Sequence, residues 1–453
     1  MHGLEVRGLW AKVLVGASAV ALASGCGDEA SGGLMGSTGD EPGASSQATP
    51  SSGGVDSTGV DPSADSGSTG EGPGGCREDA ECSDPSLPFC VQGVCVSCDQ
   101  ASADACSARD PGAPVCAGVT CVECRAAADA LCGGTTPVCD DPAGVCTGCS
   151  GHAECGDAAC DFTTGACLDA MVVEVDLYDA ACSDRGPVFC TVPQAAATVP
   201  AGVGATILIH EGITAVYGGT VVDRGRTIAF MPWPGEHPGV IGTGGDQTFV
   251  AASGGVVILE GLDLTGNRNG GGLVVDGGHM IVDHCDVGDN DDTEIVVNSG
   301  ELWLRNSFVW TPQSSIQTPM HVLGGTVELL YTSVVDRYGD AIVCEPGAQV
   351  IARNSIITNT GTNDEIVCPG LTATHSASRT ALTGDGNVVL PEDTELLFVA
   401  GQINPMDLHL TVAGARLLGA AGVWQAGDPP DDYDGDPRPT EAGAPDAIGA
   451  DRP

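Results

Sequence analysis

Lysine is almost missing from this chain. Lys12 is the only lysine among 453 residues, and it lies in the N-terminal segment considered below. The chain has 16 basic and 61 acidic residues, so its formal net charge is −45 at pH 7. Proteins bind nucleic acids mainly through lysine and arginine contacts to phosphates. This charge balance therefore excludes nucleic acid as a partner.

Aromatic residues and long apolar runs are also scarce. The chain has 5 Trp, 5 Tyr and 7 Phe, which leaves few rings to stack on sugars. A membrane-spanning helix needs roughly 20 apolar residues. The apolar run Val13–Ala23 is shorter than that, and no later run is long enough. We therefore expect that any membrane association runs through a lipid.

The N-terminus has the parts of an export signal. Arg7 and Lys12 precede the apolar run, and the sequence Leu-Ala-Ser-Gly-Cys at 22–26 follows it. This stretch resembles the lipobox of bacterial lipoproteins, although Ala23 stands where that box prefers leucine. The resemblance implies a signal peptide at residues 1–25, cleavage before Cys26, a lipid on its thiol, and location at the outer membrane or cell surface. The alternative is an ordinary signal peptide that leaves Cys26 as an unmodified thiol.

Residues 26–75 are rich in Gly, Ser, Asp, Thr and Pro and have almost no large apolar side chains. Such a segment cannot bury enough surface to offset its conformational entropy. We predict a disordered tether between the lipid and the rest of the chain.

Residues 76–169 contain a cysteine repeat. Consecutive groups of four start 22, 26 and 25 residues apart, and Cys-x-x-Cys pairs join each group to the next. An exported chain with 22 cysteines favours disulfides over the alternative, zinc sites. Four cysteines allow three pairings, and the sequence leaves all three open. The groups are Cys76, Cys82, Cys90, Cys95; Cys98, Cys106, Cys116, Cys121; Cys124, Cys132, Cys139, Cys146; and Cys149, Cys155, Cys160, Cys167.

These units resemble the short Cys-rich repeats that follow the anchor of many bacterial surface lipoproteins. The resemblance implies a protease-resistant stalk, with protein binding as the alternative role.

A second repeat begins further along the chain. Residues 256–278, 279–300, 301–325, 326–347 and 348–370 form segments of 22 to 25 residues whose ends and middles are similar, as in LEGLDL, VDHCDV, LRNSFV, LYTSVV and ARNSII. One such segment cannot close a core, but stacked coils bury their alternating apolar positions in a continuous column. The pattern predicts an all-β solenoid. A β-sandwich is the alternative, but its strands would not repeat at this spacing.

The repeat resembles right-handed parallel β-helix proteins of the pectate-lyase-like class. Asn306-Ser307 and Asn354-Ser355, with Thr332-Ser333 between them, are similar to the polar turn ladder of that fold. Residues 190–196 resemble its cap helix, and residues 204–212 its first rung. The sequence around 407–411, 434–439 and 446–451 resembles the closing segment of bacterial surface β-helix proteins of the choice-of-anchor group. The resemblance implies a β-helix at 170–425 and a closing segment at 426–453.

Enzymes on this scaffold give a catalytic alternative. Aligned rungs place Glu260, Asp283, Arg305 and Arg353 in one outward column, where Asp283 and Arg305 would be stacked neighbours. The class implies a lysine or arginine base for a polysaccharide lyase, and the mature chain has no lysine. We interpret the column as an exposed charge ladder of little energetic value and assign no catalytic residue.

His284 and the aspartates at 289–292 superficially supply the residues of a polygalacturonase-type hydrolase. The motifs that surround such residues in that family are missing, and His284 aligns with Asn306 and Asn354. We therefore favour a turn-filling role for His284.

The remaining cysteines suggest specific pairs. Cys344 and Cys368 hold the same place in adjacent coils, within disulfide range, so we predict that they pair. We also predict a Cys182–Cys190 bond across the cap. Cys285 aligns with inward positions and is expected to be one buried free thiol.

The sequence predicts no cofactor, with calcium as the alternative. Acidic runs at 289–292 and 431–436 offer weak ligand candidates, although the second lacks the full twelve-residue spacing of a calcium loop. The candidates are Asp289, Asp291, Asp292, Asp432, Asp434 and Asp436.

Together these features predict a monomeric, lipid-anchored surface protein whose β-helix binds a polysaccharide, an envelope component or another surface protein without catalysis. The alternative is a carbohydrate-active enzyme of the polysaccharide lyase type, or a glycoside hydrolase.

Overall fold

The computed structural model describes residues 75–453, with gaps at 103, 126–131, 213–217, 243–246, 269, 312–316, 362–364 and 402–404. Cys26, the signal peptide and most of the predicted tether lie outside the described residues. The described chain is mostly β: disulfide-linked hairpins followed by a parallel β-solenoid of about seven turns.

Each of the four cysteine groups forms one small antiparallel hairpin. The third and fourth cysteines of a group lie opposite one another in the hairpin, as Cys90 and Cys95 do in the first. The strands are β1 Phe89–Val91, β2 Val94–Val96, β3 Val115–Ala117, β4 Thr120–Val122, β5 Val138–Asp140, β6 Val145–Thr147, β7 Cys160–Asp161 and β8 Ala166–Cys167, with helix α1 at Ala105–Arg109 and 3-10 turns at Asp79–Glu81, Cys98–Gln100 and His152–Cys155.

The structure selects one of the three pairings that the sequence leaves open. In every group the first cysteine bonds to the third and the second to the fourth, as in Cys76–Cys90 and Cys82–Cys95. The same pattern recurs in the other three groups. Both strands of each hairpin are thereby tied to the loop that precedes them.

A short cap begins the solenoid. Strands β9 Val172–Val175 and β10 Val188–Phe189 pair in parallel, and helix α2 follows at Val192–Thr198. The helix starts where expected because Thr191 accepts a hydrogen bond from the backbone N–H of Gln194 and Pro193 occupies its first turn. The predicted Cys182–Cys190 disulfide closes this cap.

Two long parallel sheets form the solenoid. The first sheet has 15 strands, from the cap onward, and the second has seven. The strands are β11 Gly204–Ile209, β12 Thr220–Val222, β13 Thr227–Pro232, β14 Phe249–Ala252, β15 Val256–Glu260, β16 Asp263–Thr265, β17 Leu273–Asp283, β18 Asp286–Gly288, β19 Ile295–Arg305, β20 Phe308–Trp310, β21 Met320–Val322, β22 Thr326–Leu330, β23 Ser333–Asp336, β24 Ile342–Cys344, β25 Gln349–Arg353, β26 Ile356–Asn359, β27 Ile366–Val367, β28 Leu371–Thr374, β29 Ala377–Ser378 and β30 Val388–Val389.

Stacked aliphatic columns build the core, as the repeat predicts. One column runs in register through Leu259, Val282, Leu304, Leu329 and Ala352 on successive coils. All five are at most 1% exposed. Each coil therefore buries its apolar face only against its neighbours, which is the property of a solenoid.

The corner between the sheets is a ladder of residues with positive φ. His284, Asn306, Tyr331, Asn354 and His375 all adopt φ between 42° and 51°. The prediction that Thr332-Ser333 stands in line with the Asn-Ser pairs is wrong by one residue. Leu330, and not Tyr331, pairs with Arg305, so Tyr331 takes the asparagine position and Thr332 the serine position.

The last part of the chain packs on the outer face of the second sheet. Phe308, Ile356 and Ala377 of that sheet share a buried cluster with Leu408 and Ile448. Its elements are a 3-10 turn at Thr394–Leu397, β31 Phe398–Ala400, β32 Asp407–Leu410, α3 Val412–Leu418, β33 Gly422–Val423 and β34 Pro445–Asp446. In residues 75–453, outside the gaps given above, we find no helix with the length and apolar character needed to cross a bilayer.

Arg438 fastens this segment to the turn ladder. Its side chain is fully buried, pairs with Asp446 at 3.2 Å and lies 3.8 Å above the ring of Tyr331. It also donates to the side-chain oxygen of Asn306. A buried arginine held by a carboxylate, an amide and a ring explains why the closing segment folds onto these coils.

Candidate functional site

The predicted charge column exists, with one interruption. Glu260, Asp283 and Arg305 stand in register on three adjacent coils. Leu330 follows them on the next coil, before Arg353. The prediction that this column is an exposed ladder is wrong, because the side chain of Asp283 is only 5% exposed and that of Arg305 only 17%.

The fourth Cys-rich repeat covers this column. Ala159 and Leu168 of the repeat pack on outward-facing Ile258 and Ile281 of the first sheet. Thr206 joins the two parts, since its hydroxyl accepts from the N–H of Ala159 at 2.9 Å and donates to the carbonyl of Leu168 at 3.0 Å. The fourth repeat is therefore part of the solenoid body, and a stalk role is left only to the first three.

A group of charged side chains meets where this repeat, the first sheet and the closing segment come together. We call it the junction cluster, and it lines a cavity of about 480 Å³. Its members are His152, Glu260, Asp283, His284, Arg305 and Asp431.

His284 stands at the centre of the junction cluster. Its Nδ1 is 3.1 Å from Glu260 and 3.2 Å from Asp283, and its Nε2 is 3.5 Å from Asp431. Burial opposes a charged imidazole, but these carboxylates outweigh it and raise the pKa of His284 far above its usual range. The backbone fills the turn position as predicted, while the aspartates at 289–292 are not the carboxylates that hold the ring.

Asp283 and Arg305 form the most buried ion pair of the junction cluster. Burial alone would raise the pKa of Asp283, but Arg305 and His284 together hold that pKa well below its ordinary value. The guanidinium of Arg305 also lies 4.0 Å from the ring centre of Phe162 in the fourth repeat. Arg305 therefore orients Asp283 and fastens the repeat at the same time.

Several polar atoms of the junction cluster lack hydrogen bonds. Within the described residues, His152 Nε2, Glu260 Oε2, His284 Nδ1 and Arg305 Nε are buried and have no hydrogen bond partner. Buried polar atoms are normally paired, so such a concentration in one cavity calls for an explanation.

A second pocket lies between the second sheet and the closing segment. Asp263 and Asp286 are in register on adjacent coils, and Phe308 follows them on the next. We call this cavity of about 300 Å³ the acid–aromatic pocket. Its principal lining residues are Asp263, Asp286, Phe308, Trp310, Asp407, His409 and Tyr433.

Rings and carboxylates contact one another throughout the acid–aromatic pocket. The indole N–H of Trp310 donates to Asp286 at 2.6 Å, and the rings of Phe308 and Tyr433 are 4.3 Å apart. His409 reaches Asp407 with Nδ1 at 2.6 Å and Asp434 with Nε2 at 3.2 Å. Although burial opposes it, these two aspartates raise the pKa of His409.

The two stacked aspartates titrate unusually. Burial raises the pKa of Asp286 to about 7, helped by the charge of Asp263 and opposed by the hydrogen bond from Trp310. Burial also raises the pKa of Asp263. None of the described residues that line this pocket is an arginine or a lysine, so the two carboxyl groups have no strong base to hold them ionised.

The acid–aromatic pocket was missed at the level of sequence. Its only signal there was the aspartate that occupies the same place in LEGLDL and VDHCDV, which are Asp263 and Asp286. His409 and Tyr433 lie more than 120 residues further along the chain than Asp286, and nothing in the rung pattern connects them to it.

The acidic runs that offered calcium ligands have other contacts in the structure. Asp289 and Asp291 pair with Arg268 at 2.8 and 3.3 Å, and Asp292 accepts from the N–H of Thr293. Asp432 is buried and accepts from the backbone N–H groups of residues 434, 436 and 452, while the side chain of Asp434 pairs with His409. Calcium binding by these residues stays a prediction.

The cysteines outside the repeats are placed as expected. Cys344 bonds to Cys368 between adjacent coils, in addition to the Cys182–Cys190 bond of the cap. Among the described cysteines, only Cys285 is free, and burial raises the pKa of its thiol.

Comparison with known proteins adds one match. Residues 61–173, which are 113 of the 453, match the model of a family of unknown function, DUF8331. No curated protein matches the chain. The match covers the Cys-rich repeats, including His152 and Phe162 at the junction cluster, and ends near the start of the solenoid.

Proposed function

We propose that the chain is a lipid-anchored surface protein that binds a saccharide in the acid–aromatic pocket. The observation that carries this proposal is the in-register pair Asp263 and Asp286 beside the rings of Trp310 and Tyr433. Carboxyl groups accept hydrogen bonds from sugar hydroxyls, and aromatic rings offer surface to the apolar face of a sugar. The closing segment brings Tyr433 next to Phe308 and Trp310 of the second sheet.

The anchor part of the proposal rests on the N-terminal sequence. The lipobox-like stretch before Cys26 and the ten disulfides of the described chain favour an exported protein. The solenoid also supports a relation to the pectate-lyase-like surface β-helix proteins that the sequence resembles. Mass spectrometry of the mature N-terminus tests the anchor, because we expect a diacylglyceryl mass on Cys26 and none after Cys26→Ser.

Binding is tested with the soluble chain from residue 27 onward against a panel of neutral and acidic polysaccharides. We expect at least one to bind, and Asp286→Ala or Tyr433→Ala to weaken its binding by about tenfold, as the loss of one central contact would. Asp276→Ala, an exposed aspartate on another face, is the matched control. Failure of every polysaccharide to bind, or equal binding by all three variants, contradicts the proposal.

A carbohydrate-active enzyme is the second candidate, and one observation favours it. Asp286 has a pKa of about 7 beside Asp263, and a carboxyl group kept protonated near neutral pH can act as a general acid. Incubation with the polysaccharides that bind, followed by assay of reducing ends and of unsaturated products, separates hydrolase, lyase and binding protein. Cleavage that disappears in Asp286→Asn would replace the non-catalytic proposal.

A further inference from the structure

We infer that Glu260, Asp283 and His284 in the junction cluster form a site for one divalent metal ion of the Mn²⁺ and Zn²⁺ class. This site is distinct from the acid–aromatic pocket and does not depend on the proposed function. One ligand atom from each of the three side chains lies within 4.8 Å of the others. The stacked coils supply Glu260 and Asp283, and the adjacent ladder position supplies His284.

The spacing of these atoms fits a coordination sphere. Metal bonds of about 2.0–2.2 Å place neighbouring ligand atoms about 3.0–3.5 Å apart in octahedral or tetrahedral geometry. His284 Nδ1 is 3.1 Å from Glu260 Oε1 and 3.2 Å from Asp283 Oδ1. Both distances from the ring nitrogen match this spacing, and the three ligand atoms all lie within 4.8 Å of one another.

Hydrogen bonding does not account for the same contacts. A ring N–H can point at one acceptor, and its hydrogen bond weakens steeply when the angle falls. In the described structure His284 Nδ1 is buried and makes no hydrogen bond, although two carboxylate oxygens lie within reach. A divalent ion that takes the place of the Nδ1 proton can bind the ring nitrogen and both oxygens at once, and that proton is released to solvent.

Each proposed ligand also has an outer partner. Arg305 contacts the second oxygen of Asp283, and His284 Nε2 faces Asp431 at 3.5 Å. Metal-binding histidines usually direct their other ring N–H to a carboxylate, and ligand carboxylates are themselves held by donors. The cluster has this second layer of contacts.

His152 supplies the corresponding contact for Glu260. Its side chain is only 10% exposed, and its Nδ1 accepts from the backbone N–H of Cys160 at 2.9 Å. The ring proton is therefore assigned to Nε2, which has no hydrogen bond partner among the described residues and lies 3.5 Å from Glu260 Oε2. This nine-tenths buried donor lines the cavity and is left without a hydrogen bond beside the carboxylate.

The ligand set indicates the class of ion. Calcium takes six to eight oxygen ligands, whereas one imidazole with two carboxylates suits Zn²⁺ or Mn²⁺. The cavity leaves room for water or a small ligand at the remaining coordination positions.

The test uses the tag-free chain from residue 27 onward, with its disulfides intact, after EDTA treatment and dialysis. Calorimetric titration with ZnCl₂, MnCl₂ and CaCl₂ is expected to show one site for Zn²⁺ or Mn²⁺ with a Kd at least tenfold below that for Ca²⁺. Pulsed EPR of the Mn²⁺ complex should show coupling to one imidazole nitrogen.

His284→Asn is the informative variant, because asparagine occupies the same positive-φ position at Asn306 and Asn354 and will preserve the turn. We expect it to weaken binding of the preferred ion at least 100-fold, and Glu260→Gln to weaken it at least tenfold. His375→Asn, at the same ladder position on another coil, is the matched control and should bind as the parent does. Absence of a single Zn²⁺ or Mn²⁺ site, or equal affinity of the His284→Asn and His375→Asn variants, overturns the inference.

Discussion

The Cys-rich repeats and the solenoid solve the same stability problem in opposite ways. The repeats have short strands, and the small buried cluster of the first two consists of Phe89 with Cys98 and Cys106. Two disulfides per repeat close segments with separations of 11 to 18 residues. The solenoid instead buries a continuous aliphatic column and has one disulfide between coils. Disulfides stabilise the repeats by lowering the conformational entropy of the unfolded chain, whereas stacking stabilises the solenoid through the interfaces between coils in the folded state.

The fourth repeat shows that the two solutions can be combined. It has the same pair of disulfides as the others, yet Ala159 and Leu168 also cover apolar side chains on the outside of the first sheet. This unit is too small to form its own core, so it buries its apolar side chains against the neighbouring sheet. Its position next to the solenoid, and not its cysteine content, distinguishes the fourth repeat from the first three.

Removal of one repeat disulfide should have the largest effect. Cys106→Ser with Cys121→Ser is expected to cost the second repeat about 3 kcal/mol, which exceeds what so small a unit can lose. We expect limited proteolysis to cut this repeat while the solenoid keeps its melting temperature. Val119→Ala, an exposed valine of the same repeat, should leave the cleavage pattern unchanged. A joint loss of repeat and solenoid would show that the two regions are not independent.

A cavity in the aliphatic column tests whether the solenoid is stabilised by stacking of its coils. Leu304 is fully buried between Val282 and Leu329, so Leu304→Ala should lower the free energy of unfolding by about 2–5 kcal/mol. Urea denaturation followed by circular dichroism measures the loss. Ile351→Ala removes a 44% exposed side chain and should cost less than about 1 kcal/mol. Similar losses in both variants would argue against a stacked core.

The docking of the fourth repeat depends on Phe162. Phe162→Ala removes the ring under Arg305 and should weaken the junction by about 1–2 kcal/mol. Hydrogen exchange at Ala159 and Leu168 should become faster, while exchange in the first repeat stays the same. Phe162→Leu keeps apolar volume without the ring and should fall between the parent and the alanine variant. Unchanged exchange in Phe162→Ala would remove the distinction between the fourth repeat and the first three.

The last prediction concerns pH. The pKa of Asp286 rises from 3.8 to about 7 on folding, so the folded state binds the proton more tightly than the unfolded state. Its stabilising contribution is complete below pH 4 and is lost as the pH rises through 7. Asp286→Asn mimics the protonated group and should raise stability at pH 8, with little change at pH 4.

Thermal melts of Asp286→Asn, Asp276→Asn and the parent at both pH values measure this difference. Asp276 is exposed, so its variant should follow the parent at pH 4 and pH 8. A gain in stability that is equal at both pH values would show that the change does not arise from titration of Asp286.

Local sequence patterns define the repeats of both regions. Cysteine spacing defined four units, and the alternation of apolar residues defined the coils, because both patterns are local and recur at a constant period. Recurrence also placed Cys344 beside Cys368 and Cys285 inside the core. The same reasoning gave the wrong alignment at the turn ladder, because the sequence LYTS resembles LRNS but is shifted by one residue in the strand register.

The segments that cover the outside of the solenoid are known only from its tertiary contacts. The rung pattern predicts which side chains point outward, but it carries no information about which distant segment covers them. The fourth repeat therefore turned an apparently exposed charge ladder into the junction cluster, and the closing segment brought His409 and Tyr433 to Asp286. Both pockets arise from contacts between parts of the chain that share no periodicity, and such contacts are set by packing and charge complementarity in three dimensions.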